Sequence, residues 1–203
     1  MKKNLTLLVI LLGIYSASCA QTRTKAEFGL NVGFNSSMVI TVLGSGSTGT
    51  GGGFNAGASG DFYFSNSWSL KAKLIYDQKG WSGDDVFGEL GTGNYHLNYL
   101  TIPLMANWHF GKTRNWYLNA GPYAGFLMSA SQSSNNADIK PRFNSTDFGL
   151  AFGIGVKFPI AEKAKLFLEY DGQGGLSNIF NSSIQQFQNI RSAFNVGVSF
   201  PIY

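Results

Sequence analysis

From Ala26 onward the chain alternates between apolar and polar positions with a period of two. That spacing is the signature of a β-strand with two chemically different faces. In the first such segment, residues 26–36, Phe28, Leu30, Val32 and Phe34 share one parity, and Glu27, Gly29, Asn31 and Gly33 the other. The second, residues 54–64, sets Phe54, Ala56, Ala58, Phe62 and Phe64 against Asn55, Ser59 and Asp61. The third sets Trp68, Leu70, Ala72, Leu74 and Tyr76 against Lys71, Lys73 and Asp77, and the fourth Leu100 to Phe110 against Thr101, Asn107 and His109. The fifth, residues 116–130, carries Leu118, Ala120, Ala124, Phe126 and Met128 on its apolar side. In the sixth, Phe148, Leu150, Phe152, Ile154, Val156 and Phe158 alternate with Asp147, three glycines and Lys157. The seventh sets Leu166, Leu168 and Tyr170 against Lys165, Glu169, Asp171 and Gln173, and the eighth Phe194, Val196, Val198, Phe200 and Ile202 against Arg191, Asn195, Gly197 and Ser199.

The connections alternate in length. Short turns are predicted at residues 65–67, 111–115 and 161–163, and long segments at 37–53, 79–96, 131–146 and 174–189. Short turns on one side and long loops on the other predict an all-β fold, an eight-stranded antiparallel up-and-down transmembrane β-barrel with turns in the periplasm and loops outside.

A water-soluble barrel of the lipocalin kind would show the same alternation. The composition of the two faces decides between them. The strand charges Glu27, Asp61, Lys71, Lys73, Asp77, Asp147, Lys157, Lys165, Glu169, Asp171 and Arg191 all lie opposite the bulky rows, on a face otherwise rich in Gly, Ser and Asn. A lumen of eight strands is narrow and suits small residues with a few paired charges. The bulky row therefore faces outward, which lipid tolerates and water does not. Phe64, Trp68, Trp108, Phe110, Trp116 and Phe158 fall at the turn ends, and Phe34, Phe54, Tyr76, Phe126, Phe148 and Tyr170 at the loop ends, as two aromatic girdles would. A closed barrel has no edge for Pro103 and Pro122, so each is expected to remove a ladder hydrogen bond or mark a bulge.

The first twenty residues break the pattern. Lys2 and Lys3 precede an apolar run from Leu7 to Ile14, and Ser18-Cys19-Ala20 ends in small residues, as in a secretory signal with cleavage after Ala20. The expected domains are thus a signal peptide over 1–20 and an outer-membrane barrel over 21–203. The alternative is a lipoprotein signal with Cys19 lipidated, although the usual Leu is missing from the first position of Ser16-Ala17-Ser18-Cys19. Cleavage removes the one Cys, and with it any disulfide or thiol chemistry. It also leaves 13 basic residues against 11 acidic ones, so the net charge falls from +4 to +2 and a nucleic-acid partner is not expected. No later stretch holds the ~18 consecutive apolar residues of a membrane helix.

The inward row is where chemistry would reside. Its nearly balanced charges are expected to pair into a structural plug, because an unpaired charge in a narrow lumen is costly. A sharper reading is a gated ion path or small-ligand site at Glu169, Asp171 and Arg191. Residues 44–49 match the letters of a dinucleotide-binding fingerprint but lack the strand–helix context, and read as a flexible loop. His96 and His109 stand at opposite ends of one strand and form no metal cluster; Asp84, Asp85 and Glu89 read as a solvated loop rather than a Ca²⁺ site. No cofactor is expected. His96, at the mouth, is the one candidate general base for an outer-membrane hydrolase. Trp81, Phe87, Phe180 and Phe187 are placed in loops, where they either contact lipopolysaccharide or a partner protein or fold down onto the barrel.

Four stretches, from Tyr99 to Leu104, Asn119 to Gly125, Phe148 to Gly155 and Arg191 to Phe200, resemble the PorT-family outer-membrane β-barrel proteins of Bacteroidota, with an OmpA/OmpX-like eight-stranded barrel. The resemblance covers essentially the whole chain after residue 20. For the family's namesake it implies secretion across the outer membrane, and it carries over no functional residue. The leading expectation for this chain is a non-enzymatic barrel with a structural, adhesive or secretion-accessory role through its outer loops. Asn195, Gly197, Phe200 and Ile202 look like the terminal signal read by the barrel-assembly machinery during insertion, with Tyr203 one residue beyond the usual end. The expected partners are outer-membrane lipid and lipopolysaccharide, that machinery, and possible protein partners at the loops.

Overall fold

The structure, a computed structural model, describes residues 25–41, 47–83, 93–133, 137–181 and 186–202. Eight long strands account for most of them: β1 (Ala26–Thr41), β2 (Gly49–Tyr63), β3 (Trp68–Gly83), β4 (Gly93–Phe110), β5 (Trp116–Gln132), β7 (Thr146–Ala161), β8 (Ala164–Gly175) and β9 (Phe187–Ile202). A two-residue strand, β6 (Ala137–Asp138), hangs on the loop end of β5. Each long strand pairs antiparallel with its neighbours, β9 pairs with β1 and β4 with β5, and the sheet closes on itself. Closure gives every long strand a ladder partner on both sides and leaves no open edge, which a sheet surrounded by hydrocarbon requires.

The strands run further at the loop end than the sequence pattern suggests. β1 continues to Thr41 and β2 begins at Gly49, so part of the segment 37–53 is ladder rather than connection. β3 and β4 likewise extend to Gly83 and from Gly93, and β9 starts at Phe187. Runs of Gly, Ser and Thr are weak strand formers alone, but Gly51 to Gly53 pair with Ser37, Ser36 and Asn35 of β1, while the β2–β3 ladder carries a register shift between Thr50 and Asn55. Residues 1–24, which hold the predicted signal with Cys19, lie outside the described residues, as do 44–46, Asp84, Asp85, Phe87, Glu89 and Tyr203.

Pro103 and Pro122 interrupt pairing without shifting it. The β3–β4 ladder breaks between Ala72↔Leu104 and Ile75↔Thr101, and the β4–β5 ladder between Pro103↔Tyr123 and Ala106↔Ala120, each resuming in the same register. The register shift of β4–β5 lies instead beside Asn98 and Tyr99, where Met128 and Ser129 follow one another on the outside.

The bulky rows face outward on every long strand, with Phe34 76% exposed. At the turn end Trp68, Trp108, Phe110 and Trp116 form a continuous belt, with successive ring centroids 6.3, 5.0 and 6.4 Å apart. At the loop end Phe34 is the register partner of both Phe54 and Phe194, and the Phe54 ring lies 5.7 Å from that of Tyr76. On β7 the two levels are marked by Phe148 and Phe158. Ten residues at ~3.3 Å each, tilted ~45°, span roughly 25 Å, the height of an outer-membrane apolar band.

Candidate functional site

The inward parity brings the predicted charges together in the lumen. Glu27, Asp61, Lys71, Lys73, Asp77, Asp147, Lys157, Glu169, Asp171 and Arg191 are all buried, and Lys165 is partly exposed at the turn end. They form three connected levels. Nearest the turns, Lys157 lies 3.0 Å from Glu27 and 3.4 Å from Asp61, and Lys165 reaches Glu27 at 3.4 Å. Ser69 donates to Asp61 (2.9 Å) and meets the His109 ring at 3.0 Å, while Asn107 donates to the same Asp61 oxygen at 2.9 Å. In the middle, Glu169 accepts from Lys71 (2.9 Å), from Lys73 and from Asn119 (3.2 Å), and Lys73 also reaches Asp171 at 3.1 Å. Above, Arg191 joins Asp171 to Asp77, lying 3.1 Å from the latter, and donates to Asn35 at 3.0 Å.

Strand order explains how so many charges find partners. Counted round the ring, β3 and β8 are four strands apart and stand diametrically opposite, as do β2 and β7. The bridges from Lys71 and Lys73 to Glu169 and from Lys157 to Asp61 therefore cross the full width of the lumen. Of the trio singled out in the sequence, Arg191 and Asp171 pair directly, whereas Glu169 is held by Lys71 and Lys73.

One lumen cation escapes the sequence reading. Lys79, in the segment read as a connection, is buried on β3 and lies 3.1 Å from Asp147. Asp147 also accepts from Tyr123, Asn189 and Ser177 at 3.1, 3.0 and 3.1 Å. With Lys79 the inward bases Lys71, Lys73, Lys79, Lys157, Lys165 and Arg191 equal in number the acids Glu27, Asp61, Asp77, Asp147, Glu169 and Asp171. The parity of Lys71, Lys73 and Asp77, carried two residues further, was the available signal.

The lumen is also less uniformly small than its Gly, Ser and Asn suggest. Tyr99, Tyr117, Tyr123 and Phe167 point inward and are buried. Three of them lie over glycines on the neighbouring strand. Tyr117 is the register partner of Gly155, Tyr123 of Gly149 and Phe167 of Gly197. A β-carbon on Gly155 would stand 2.2 Å from the Tyr117 ring. The inward glycines thus make room for rings that fill the barrel.

At the loop end an apolar cluster seals the polar levels. Trp81, Tyr95, Leu97 and Phe187 come from strands, and Phe143, Ile179 and Phe180 from the connections. Trp81 stacks on Tyr95 with centroids 4.7 Å apart, and the Phe143 and Phe180 rings meet at a tilt, also 4.7 Å apart. Trp81 and Phe187, expected in loops, stand instead on β3 and β9 and are buried, because the strands run past the expected loop boundary. Phe180, from a connection, packs against both, its ring 6.4 and 5.1 Å from theirs. His96 stands on the outward row of β4, opposite Gly80 and Ser131, and Asp138 of β6 lies beyond Ser131. His96, Ser131 and Asp138 are successive register partners, and the Asp138 carboxylate accepts from the Lys140 backbone N–H at 3.0 Å. Asn195 and Gly197 face inward on β9, and Phe200 and Ile202 outward, in the closing strand that pairs with β1.

A closed ring of eight long strands, with an apolar exterior banded by two aromatic belts and a lumen filled by paired charges, defines an integral outer-membrane β-barrel. The chain belongs to the outer membrane protein beta-barrel domain family, whose profile matches residues 19–181. Its fold is similar to that of Neisserial surface protein A (TM-score 0.54, 15% identity, 86% of this chain and 97% of that one). It is also similar to OprG from Pseudomonas aeruginosa (TM-score 0.52, 14% identity, 91% and 100%) and to AlkL in lipid bilayers (TM-score 0.51, 9% identity, 91% and 94%). At these identities the likeness is one of fold. No curated protein matches the chain.

Proposed function

We propose that this protein is a sealed, non-enzymatic barrel that works through its loop face, in an adhesive or secretion-accessory role, and not by conduction. The carrying observation is the set of bridges from β3 to β8 across the lumen, with the apolar cluster of Trp81, Phe143 and Phe180 above it. Opening a path would strip several buried charges of their partners at once, at a cost of several kcal/mol for each. In this reading residues 1–20 export the chain, and Asn195, Gly197, Phe200 and Ile202 present it to the assembly machinery. Lipopolysaccharide and a protein partner would meet the loops, and the PorT-type resemblance supports the secretion-accessory variant. Purified barrel in planar bilayers is expected to give no single-channel steps; a reproducible step would overturn the sealed reading.

A small-ligand site in the lumen is the second reading. Asn107 and Asn119, register partners on β4 and β5, each leave a buried amide oxygen without a hydrogen-bond partner. Buried acceptors of this kind call for a donor, from water or from a small polar ligand.

A further inference from the structure

The outward face is not evenly bulky. Ala106 on β4 and Ala120 on β5 are register partners, both exposed on the lipid side. Trp68, Trp108, Leu118, Phe152, Ile154 and Tyr170 rise around them and leave a trench of about 610 Å³. That volume lies within the ~300–1,000 Å³ of ordinary small-ligand sites. Ala106 lies four residues above Phe110, and Ala120 four above Trp116. At ~3.3 Å per residue and ~45° of tilt, the floor sits roughly 10 Å above the turn-side belt, in the half of the band nearest the turns.

The same two strands are joined by the turn 111–115, directly below the trench. It carries Lys112 and Arg114, both exposed and neither in an ion pair among the described residues. Arg114 has φ 53°, the one non-glycine residue described in the left-handed region. Gly or Asn meets that backbone demand more easily, so the choice of Arg is not explained by the turn alone.

An apolar trench with cations beneath it, at the level of an acyl chain and its headgroup, has the shape of one lipid. A second copy of the chain fits worse. A two-fold contact through the trench places the same patch on both partners, so the two Lys112 and Arg114 pairs would approach one another. We propose that the trench over Ala106 and Ala120 binds one anionic phospholipid of the turn-side leaflet, its acyl chain in the trench and its phosphate held by Lys112 and Arg114.

Tryptophan quenching tests this, because Trp68 and Trp108 line the trench and Trp116 stands beside it in the belt. The full barrel is reconstituted in phosphatidylcholine vesicles containing a small fraction of brominated phosphatidylglycerol or brominated phosphatidylcholine. Brominated phosphatidylglycerol is expected to half-quench at a mole fraction lower by on the order of fivefold. Lys112→Gln with Arg114→Gln brings that ratio close to one. Ala106→Leu with Ala120→Leu fills the trench and removes the saturable phase of quenching. Lys163→Gln, which removes a cation from the β7–β8 turn, leaves the ratio unchanged. Retention of heat-modifiable gel mobility identifies folded variants, and the turn substitutions, at exposed sites, keep the test decisive if the leucine pair does not fold. The site is overturned by an absent preference in the parent barrel or by an equal loss in Lys163→Gln, which would mean diffuse surface charge. Disulfide-linked dimers of a Cys19→Ala, Ala120→Cys chain in dilute vesicles would overturn it in favour of a second copy.

Discussion

Arg191 and Asp147 anchor the upper lumen in different ways, and the difference sets what each substitution costs. Arg191 is a single cation between two carboxylates, Asp77 and Asp171. Arg191→Met takes a cation from two carboxylates at once, leaving Asp77 the neutral donors Asn35 and Thr101 and leaving Asp171 only Lys73 and Asn195, and the expected loss is about 3–5 kcal/mol. Lys79→Met also removes a buried cation, but Asp147 keeps three neutral donors from Tyr123, Asn189 and Ser177. Its loss should be nearer ~2 kcal/mol, since the carboxylate remains solvated by hydrogen bonds. Urea unfolding of the two variants in the same detergent compares them, and equal losses would contradict the assignment of partners. The alternation of residue types was enough to put Arg191, Asp171 and Asp77 inside. It did not say that Glu169 would go to Lys71 and Lys73, because that depends on which strands face each other across the ring. Lys79 was missed for a different reason. The loop end was bounded by its Gly, Ser and Thr content, and the inward parity of β3 runs past that boundary to Trp81.

At the scale of the strand, the pairing of glycine with an aromatic ring is what makes the interior solid. Gly155 on β7 and Tyr117 on β5 are direct register partners, and the ring occupies the space a side chain on residue 155 would need. Gly155→Val should destabilise the barrel by about 1–3 kcal/mol, the usual cost of overpacking. In a Tyr117→Ala background the same change should cost little, because the ring it collides with is gone. A double-mutant cycle by unfolding in detergent reads that coupling directly; additive effects would mean that ring and glycine do not share one space. Each residue lay on the inward parity in the sequence, so its facing was legible. Their partnership was not, since period-two alternation carries no register between strands. The prolines show the same limit from another side. Their conflict with a closed ladder was visible, yet only the pairing shows that Pro103 and Pro122 leave gaps without slipping the register.

At the scale of the whole molecule, the arrangement makes a claim about sidedness that lysine chemistry can test. Three environments are present. Lys140 is exposed at the loop end, between β6 and β7. Lys112 and Lys163 are exposed in turns at the opposite end, more than one band height away. Lys71, Lys73, Lys79 and Lys157 are buried in the lumen, each no more than 5% exposed. With turns in the periplasm, as in up-and-down outer-membrane barrels, an impermeant amine-reactive reagent applied to intact cells should modify Lys140 and spare the others. Permeabilising the outer membrane should add Lys112 and Lys163. The four lumen lysines should stay unmodified in both experiments and react only after the barrel is unfolded by heat, because each amine is held against a carboxylate or an aromatic ring inside a closed wall. Peptide mapping by mass spectrometry distinguishes the outcomes. Labelling of Lys112 in intact cells would reverse the orientation. Labelling of Lys73 in the folded barrel would mean that reagent enters the lumen, and the bridges across β3 and β8 would then be open often enough to undo the sealed reading as well.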